Sequence, residues 1–182
     1  MTLTKASKSP YNEITAISTG FSKLDALLGN GGVPLRRITE ISGKFSVGKT
    51  TLGLHIVANA QKKGIPCLWA DTEFAWENRY ARSLGVDTDA LDLSQEEFAE
   101  DILQAIEEWA RDTKNSLIVL DSVGALLPRE QAEKATGERV IGGQAKLVSV
   151  FVRKMTPILA INNIALVVLN HVFLDIMGGN LT

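Results

Sequence analysis

An eight-residue segment early in the chain has the residue types and spacing of a phosphate-binding loop (P-loop). Its glycines permit backbone turns that aim N–H groups at phosphate oxygens, and a helix N-terminus after it would add its dipole. The lysine can then reach the β- and γ-phosphates, and the threonine hydroxyl can ligate Mg²⁺. The segment therefore predicts a nucleoside triphosphate site formed by Gly43, Lys44, Phe45, Ser46, Val47, Gly48, Lys49 and Thr50.

Polar side chains also follow three apolar runs further along the chain. Glu73 comes just after the run at 66–70, Asp121 ends the run at 117–121, and His171 follows the run at 164–169. Because the carboxyl ends of parallel strands meet at one edge of a sheet, we expect these side chains to lie beside the P-loop. Asp121 is predicted to hold Mg²⁺ through a water, although an aspartate at a strand end can also be a turn residue or a helix cap.

Glu73 and His171 are the candidates for chemistry at the γ-phosphate. Glu73 is predicted to polarise the attacking water. The alternative is that Asp71 or Glu73 only caps the following helix. His171 is predicted to sense the γ-phosphate and report its presence to the next loop, the alternative being a purely structural histidine.

The elements that must position these residues alternate between strands and helices. Strands are predicted at 37–41, 66–70, 117–121 and 164–169. Helices are predicted from the P-loop to about 62–64, around Tyr80, at 95–111 and from 143 to about 161, after a polar loop at 129–143. Pro157 is expected to bend or end the last helix early. The pattern predicts an α/β fold, a P-loop NTPase core with a mainly parallel sheet and helices on both faces.

Composition limits the class of protein further. The net charge of −2 argues against bulk coating of nucleic acid, so any such contact needs a local patch. The single cysteine, Cys67, excludes an internal disulfide or a cysteine metal cluster and is predicted to be buried. No apolar run or signal sequence predicts a membrane span, so we expect a cytoplasmic protein. We expect a flexible tail at 1–14 and one domain at 15–182.

The order of the motifs resembles that of the RecA-type recombinases over about residues 15–180. Asn170-His171 is similar to the bacteriophage branch of that family. The other segments that carry the resemblance, besides the P-loop with its following Thr51, are Ile17-Ser18-Thr19-Gly20, Gly31-Gly32-Val33-Pro34, Asp71-Thr72-Glu73 and Leu120-Asp121-Ser122-Val123.

This resemblance implies a RecA-like core that binds ATP and Mg²⁺. It implies that Glu73 activates water, that Thr51 belongs to the ATP site, that Tyr80 stacks on adenine and that Glu77 lies near the adenine amine. It also implies single-stranded DNA as a partner, self-association into filaments or rings, and a DNA-dependent ATPase that acts in recombination and repair. The implied DNA-binding residues are Arg139, Ile141, Lys146, Arg153 and Ile176, although Lys146 and Arg153 could instead form a solvated helix face.

Two departures from the family pattern keep other readings open. Phe173 and Asp175 stand where bacterial members tend to have basic residues, and the chain ends at Thr182 where the family continues. One alternative is a nucleotide-binding partner or regulatory domain without strand exchange. Another is an incomplete fold whose P-loop strand lies near a bare sheet edge. For the DNA-dependent ATPase itself, the missing C-terminal region leaves weak ATP hydrolysis as a further expectation.

Overall fold

A computed structural model describes residues 5–9, 14–134 and 142–172. A small antiparallel pair joins strand β1 (Ala16–Ile17) to β2 (Val33–Pro34). The main sheet is formed by β3 (Ile38–Gly43), β4 (Cys67–Asp71), β5 (Leu91–Ser94), β6 (Leu117–Asp121) and β7 (Ala165–His171). Its strands are all parallel and stand in the order β3-β7-β6-β4-β5.

Six helices accompany the two sheets in the described part of the chain. They are α1 (Ser22–Leu27), α2 (Lys49–Gln61), α3 (Asn78–Ser83), α4 (Ala99–Asp112), α5 (Arg129–Ala132) and α6 (Gly143–Asn162). Two single 3₁₀ turns occur at Ala6–Lys8 and Val123–Ala125. None of the described helices is both long enough and apolar enough to cross a membrane.

The core lies on both faces of the main sheet. Helix α2 covers one face, where Ile56 and Val57 pack with Trp69 and Val119. Helices α4 and α6 cover the other face, where a second apolar cluster includes Ile102, Ile106, Met155, Leu159, Ile118 and Leu166. Every residue of β4 and β6 is buried, as expected of central parallel strands that read as continuous apolar runs. The predicted fold class is confirmed, and Cys67 is buried with its thiol pKa raised to about 12 by that burial.

Helix α6 does not end early at Pro157. It continues to Asn162, and the following Asn163 has a left-handed backbone conformation. Proline has no N–H, so the carbonyl group four residues before Pro157 has no helical donor. Pro157 is exposed, and water can therefore reach that carbonyl. Burial of Met155, Ile158 and Leu159 on the opposite face holds the helix together across this position.

Other boundaries also differ from the sequence prediction. Strand β5 was not predicted, and the helix expected from residue 95 begins only at Ala99. The predicted polar loop at 129–143 begins with the short helix α5. In the described residues the P-loop strand β3 stands at the end of the main sheet.

Candidate nucleotide site

The P-loop connects the end of β3 to the start of α2. Strand β3 ends at Gly43, and α2 begins at Lys49. Between them, Ser46 and Gly48 have positive φ angles of 58° and 93°. The left-handed conformation at Gly48 strains any residue with a Cβ, which explains the glycine at this position. The loop thus turns sharply and places Lys49 and Thr50 in the first helical turn, as the sequence predicts.

The ammonium group of Lys49 is held by three acceptors. Its Nζ donates to the carbonyl oxygens of Gly43, at 3.1 Å, and Lys44, at 2.8 Å, and lies 3.1 Å from Nδ1 of His171. Only 7% of the Lys49 residue is exposed. The structure therefore brings the P-loop lysine and the predicted γ-phosphate sensor into direct contact, across 122 positions of sequence.

Glu73 lies on the other side of His171. Its Oε1 is 2.8 Å from Nε2 of His171 and accepts a 2.7 Å hydrogen bond from the hydroxyl of Ser122. Burial opposes ionisation of Glu73, but hydrogen bonds from His171 and Ser122 outweigh it and hold the pKa of this carboxyl below its usual value. Glu73 is therefore a carboxylate near neutral pH, which is the form that can accept a proton.

Asp71 shapes the turn that carries Glu73. It is 2% exposed, and its carboxylate accepts hydrogen bonds from the backbone N–H groups of Glu73 and Trp76, both at 3.0 Å, and from the Gln95 amide at 2.8 Å. The next helix begins only at Asn78, after an N-cap at Glu77 with no side-chain capping bond. Neither Asp71 nor Glu73 caps that helix, so the capping alternative does not hold.

Thr50 and Asp121 form the second pair of the site. The Thr50 hydroxyl donates to Oδ2 of Asp121 at 2.8 Å. Burial raises the pKa of Asp121 to about 6, and the nearby carboxylates of Glu73 and Asp71 act in the same direction, while the Thr50 bond opposes them. A hydroxyl beside a carboxylate is the kind of oxygen donor set that Mg²⁺ takes in nucleotide sites. These two residues fit the predicted metal.

That donor set needs ligands from elsewhere to complete a metal site. Among the described residues, no group of three His, Cys, Asp or Glu side chains could hold a metal ion. Mg²⁺ in nucleotide sites takes one or two protein ligands and completes its shell with phosphate oxygens and water. The geometry therefore fits a metal that arrives with a phosphate chain.

The residues predicted to contact adenine lie on α3 beside the start of α2. The Tyr80 hydroxyl and Thr51 Oγ1 are 2.7 Å apart, and Tyr80 is 40% exposed. Glu77 is exposed at the N-terminus of the same helix. The structure thus joins Tyr80 to the P-loop helix and leaves part of its ring accessible to a flat ligand.

The predicted DNA-binding residues are placed only in part. Lys146 and Arg153 are exposed on α6, seven residues apart and so on one face of the helix. Arg153 donates to the carbonyl of Ser149 in its own helix. Lys146 borders a groove of about 700 Å³ between α4 and α6, whose walls include carboxylates of α4 such as Glu107. The other three, Arg139, Ile141 and Ile176, lie outside the described residues.

Several functional contacts were not predicted from the sequence. The Ser122 hydroxyl donates to Glu73. The backbone N–H of Ser122 donates to the Thr72 hydroxyl, and that hydroxyl donates in turn to the Ser122 carbonyl. The Gln144 amide donates to carbonyls of the 3₁₀ turn that follows Ser122, at 2.8 Å for Val123. A polar residue directly after a strand was the available signal for Ser122. No comparable local signal marks Gln144.

The chain is similar to known proteins over nearly its whole length. A family model described as the RecA N-terminal domain matches residues 1–180. A protein named Protein RecA from Sulfurovum sp. (strain NBC37-1) is 42% identical over 175 residues, which is 96% of this chain and 50% of the relative. Proteins of the same name from Wolbachia sp. subsp. Brugia malayi (strain TRS) and Campylobacter lari are 43% and 42% identical over 172 and 175 residues, which is 94% and 96% of this chain and 48% and 51% of the relatives.

The chain therefore spans about half the length of the relatives it matches. The resemblance of Asn170-His171 to the bacteriophage branch is not tested by these three relatives and stays a prediction. The match to the family model extends over nearly the whole chain, and the relatives are well above 30% identical. On this evidence, the chain belongs to the RecA family.

Proposed function

We propose that this chain is the ATP-binding core of a recombinase that hydrolyses Mg-ATP and binds single-stranded DNA in recombination and repair. The observation that carries the proposal is the continuous chain of contacts from Lys49 through His171 to Glu73 and Ser122, beside the Thr50–Asp121 pair. These are the residue types that phosphoryl transfer to water requires, and they lie together at one edge of a parallel sheet.

The P-loop residues 43–50 would hold the phosphates, and Thr50 with Asp121 would hold Mg²⁺, directly and through a water. Thr51, Tyr80 and Glu77 would line the adenine side. Bound Mg-ATP supplies the phosphoryl group that is transferred and the metal charge that stabilises it. Lys49 would neutralise negative charge on the phosphates. This electrostatic contribution requires the ammonium group to be held in a fixed position, and it requires no proton transfer by Lys49.

Glu73 would accept a proton from the attacking water. Its pKa lies below the usual value, and the hydrogen bond from Ser122 fixes one carboxylate oxygen. His171 is placed to respond to charge at the γ-phosphate, because its ring contacts both Lys49 and Glu73. It ends β7, so the same residue leads directly into the segment that the resemblance assigns to DNA binding.

DNA binding, self-association and a cytoplasmic location rest on family membership. We propose Lys146 and Arg153 as phosphate contacts, because both are exposed on one face of α6. Arg139, Ile141 and Ile176 are proposed as DNA contacts from the resemblance alone. The extent of the ATPase core, residues 15–182, is proposed on the same basis. The alternative of a partner domain without strand exchange is not favoured, since the relatives that cover nearly all of this chain are each named Protein RecA.

Steady-state ATP turnover with and without single-stranded DNA tests the proposal. We expect turnover that requires Mg²⁺ and rises with DNA. In parallel, DNA binding measured at several salt concentrations should strengthen with a non-hydrolysed ATP analogue and weaken linearly in log–log form as salt increases. No DNA binding at low salt with the analogue present would contradict the recombinase assignment, and no ATP binding at all would contradict the core assignment.

A further inference from the structure

One aromatic side chain of the P-loop contacts the predicted γ-phosphate sensor. The ring of Phe45 stacks on the imidazole of His171, with 4.1 Å between ring centroids and 20° between ring planes. Phe45 lies in the middle of the loop between β3 and α2, while His171 ends β7, the strand next to β3. The stack therefore joins the phosphate-binding backbone to the strand that leads away from the site.

The two nitrogen contacts of His171 fix the orientation of its ring. A lysine ammonium can only donate, so Nδ1 of His171 accepts the bond from Lys49. The tautomer that satisfies both contacts carries its proton on Nε2, which donates to Glu73. A ring flip would exchange carbon for nitrogen at both positions and would break both bonds. Both contacts of His171 thus depend on one orientation of its ring.

Phe45 and a nearby glycine restrict that ring. Phe45 covers one face of the imidazole. The turn at Gly124 lies against the Cδ2 edge of the same ring: a Cβ added to Gly124 would be 3.7 Å from Cδ2 of His171. Only 12% of the His171 side chain is exposed. By contrast, Phe45 is 59% exposed, so apolar burial accounts for little of its presence in the loop.

We propose that Phe45 is a positioning residue, which holds the His171 ring between Lys49 and Glu73 and so couples the shape of the P-loop to the γ-phosphate sensor. The inference rests on the proposed function for its catalytic consequence, but not for the stack itself. Because Phe45 belongs to the loop that would surround the phosphates, a change in loop conformation on nucleotide binding moves the stacked ring with it.

The chain offers a matched control for this contact. It has two histidines, and the second, His55, also lies against a phenylalanine, Phe21. That pair is arranged edge to face, with centroids 5.1 Å apart and planes at 83°. Phe21 is 46% exposed and lies before α1, outside the P-loop, so Phe21→Leu repeats the same chemical change away from the candidate site.

Nitrogen-15 NMR of the two imidazoles in the nucleotide-free protein tests the stack directly. We expect His171 to show a single Nε2–H tautomer with ring protons shifted upfield by Phe45. Phe45→Leu should remove the shift and mix the tautomers while leaving the His55 signals unchanged. Phe45→Tyr should keep the pattern of the parent, and Phe21→Leu should alter only His55. Unchanged His171 signals in Phe45→Leu would overturn the proposal.

Turnover separates the positioning role from a structural contact. We expect Phe45→Leu to lower kcat about tenfold with little change in KM, which is the upper end of what one aromatic pair contributes to an equilibrium. Phe45→Tyr should restore kcat, and Phe21→Leu should match the parent. Altered His171 signals with an unaltered kcat would overturn the role in the reaction. If the parent itself shows no ATP turnover, the proposed function fails, while the NMR result still decides whether Phe45 holds the ring.

Discussion

The rim at the carboxyl ends of the strands and the exposed face of α6 both carry charged residues, but in opposite surroundings. At the rim, Lys49 and Asp121 are each 7% exposed, and His171 is hydrogen-bonded to both Lys49 and Glu73. On α6, Lys146 and Arg153 are exposed. Charges removed from water depend on their partners, whereas solvated charges act almost independently.

This difference predicts two kinds of response to substitution. Loss of one rim residue leaves its partners unpaired and should largely abolish ATP binding or ATP turnover. Loss of one α6 residue should produce a graded change that adds to the loss of the next. The predictions below test that contrast, from the largest expected effect to the smallest.

Lys49→Ala should have the largest effect. It removes the only side-chain cation bonded to His171 among the described residues and leaves the P-loop without its phosphate contact. We expect ATP affinity to fall by about 100-fold or more, in line with the loss of one preorganised charge contact. Calorimetric titration with ATP measures this. Lys62→Ala, at the exposed C-terminal end of the same helix, is the matched control; equal affinities for both variants would contradict the contrast.

Asp25→Ala tests whether a bonded carboxylate far from the chemistry affects stability alone. Asp25 accepts hydrogen bonds from the Ser18 hydroxyl at 2.6 Å, and from the N–H and hydroxyl of Thr19 at 2.8 and 2.7 Å. Thr19 is 1% exposed, so its donors would lose their partner in a buried position. We expect a loss of about 1–3 kcal/mol in the free energy of unfolding, measured by urea denaturation, with unchanged ATP affinity. A loss of ATP affinity would contradict this separation.

The same carboxylate predicts a pH dependence. Burial opposes ionisation of Asp25, but hydrogen bonds from Ser18 and Thr19 outweigh it and lower its pKa. A carboxyl whose pKa is lower in the folded state stabilises the fold above its unfolded pKa of about 3.9, and this stabilisation is lost as the pH falls through the folded value. The stability difference between parent and Asp25→Ala should therefore be constant near neutral pH and shrink in acid. A difference that grows in acid would have the wrong sign.

Lys146→Ala and Arg153→Ala should each weaken single-stranded DNA binding by only several-fold. Each removes one phosphate contact, so the slope of log affinity against log salt should fall by about 0.7 per residue on a single strand. Lys154→Ala removes the same charge from the next position, where the ammonium is paired with Glu107 at 3.2 Å. Fluorescence anisotropy at several salt concentrations measures all three. An equal effect of Lys154→Ala would show that binding follows net charge rather than this helix face.

Ser116→Ala should have the smallest effect. The Ser116 hydroxyl is buried and, within the described residues, has no hydrogen-bond partner. Removing it relieves an uncompensated desolvation cost, so stability should stay the same or rise by up to about 1 kcal/mol. Thermal unfolding checks this. A clear loss of stability in Ser116→Ala would contradict this prediction.

The sequence was sufficient for features set by local residue types. Strands β4 and β6 are continuous apolar runs that end in aspartate, and the P-loop is recognisable from the spacing of its glycines, lysine and threonine. The strands, the loop and their position at the rim could therefore be predicted. Strand β5 has only four residues and is defined by pairing with β4, which no local pattern reveals. Pro157 was misjudged because its cost depends on which helix face is exposed.

Contacts between distant segments could not be predicted in the same way. Ser122 and Glu73 are 49 positions apart, and His171 and Glu73 are 98 apart. The sequence placed Glu73 and His171 at one rim, but the hydrogen bonds that join them to each other and to Ser122 depend on the register of β4, β6 and β7. The Phe45–His171 stack depends further on how the P-loop folds back, so it appears only in the structure.

The central claim is that the rim cluster hydrolyses ATP with Glu73 as the base. Its most direct test is turnover of Glu73→Gln in the presence of Mg²⁺ and single-stranded DNA, beside ATP affinity measured for the same variant. Gln keeps the size and a hydrogen-bond acceptor for Ser122 but cannot take a proton, so we expect kcat to fall by about 100-fold or more with nearly unchanged ATP affinity. Hydrolysis by Glu73→Gln at the rate of the parent would contradict the account.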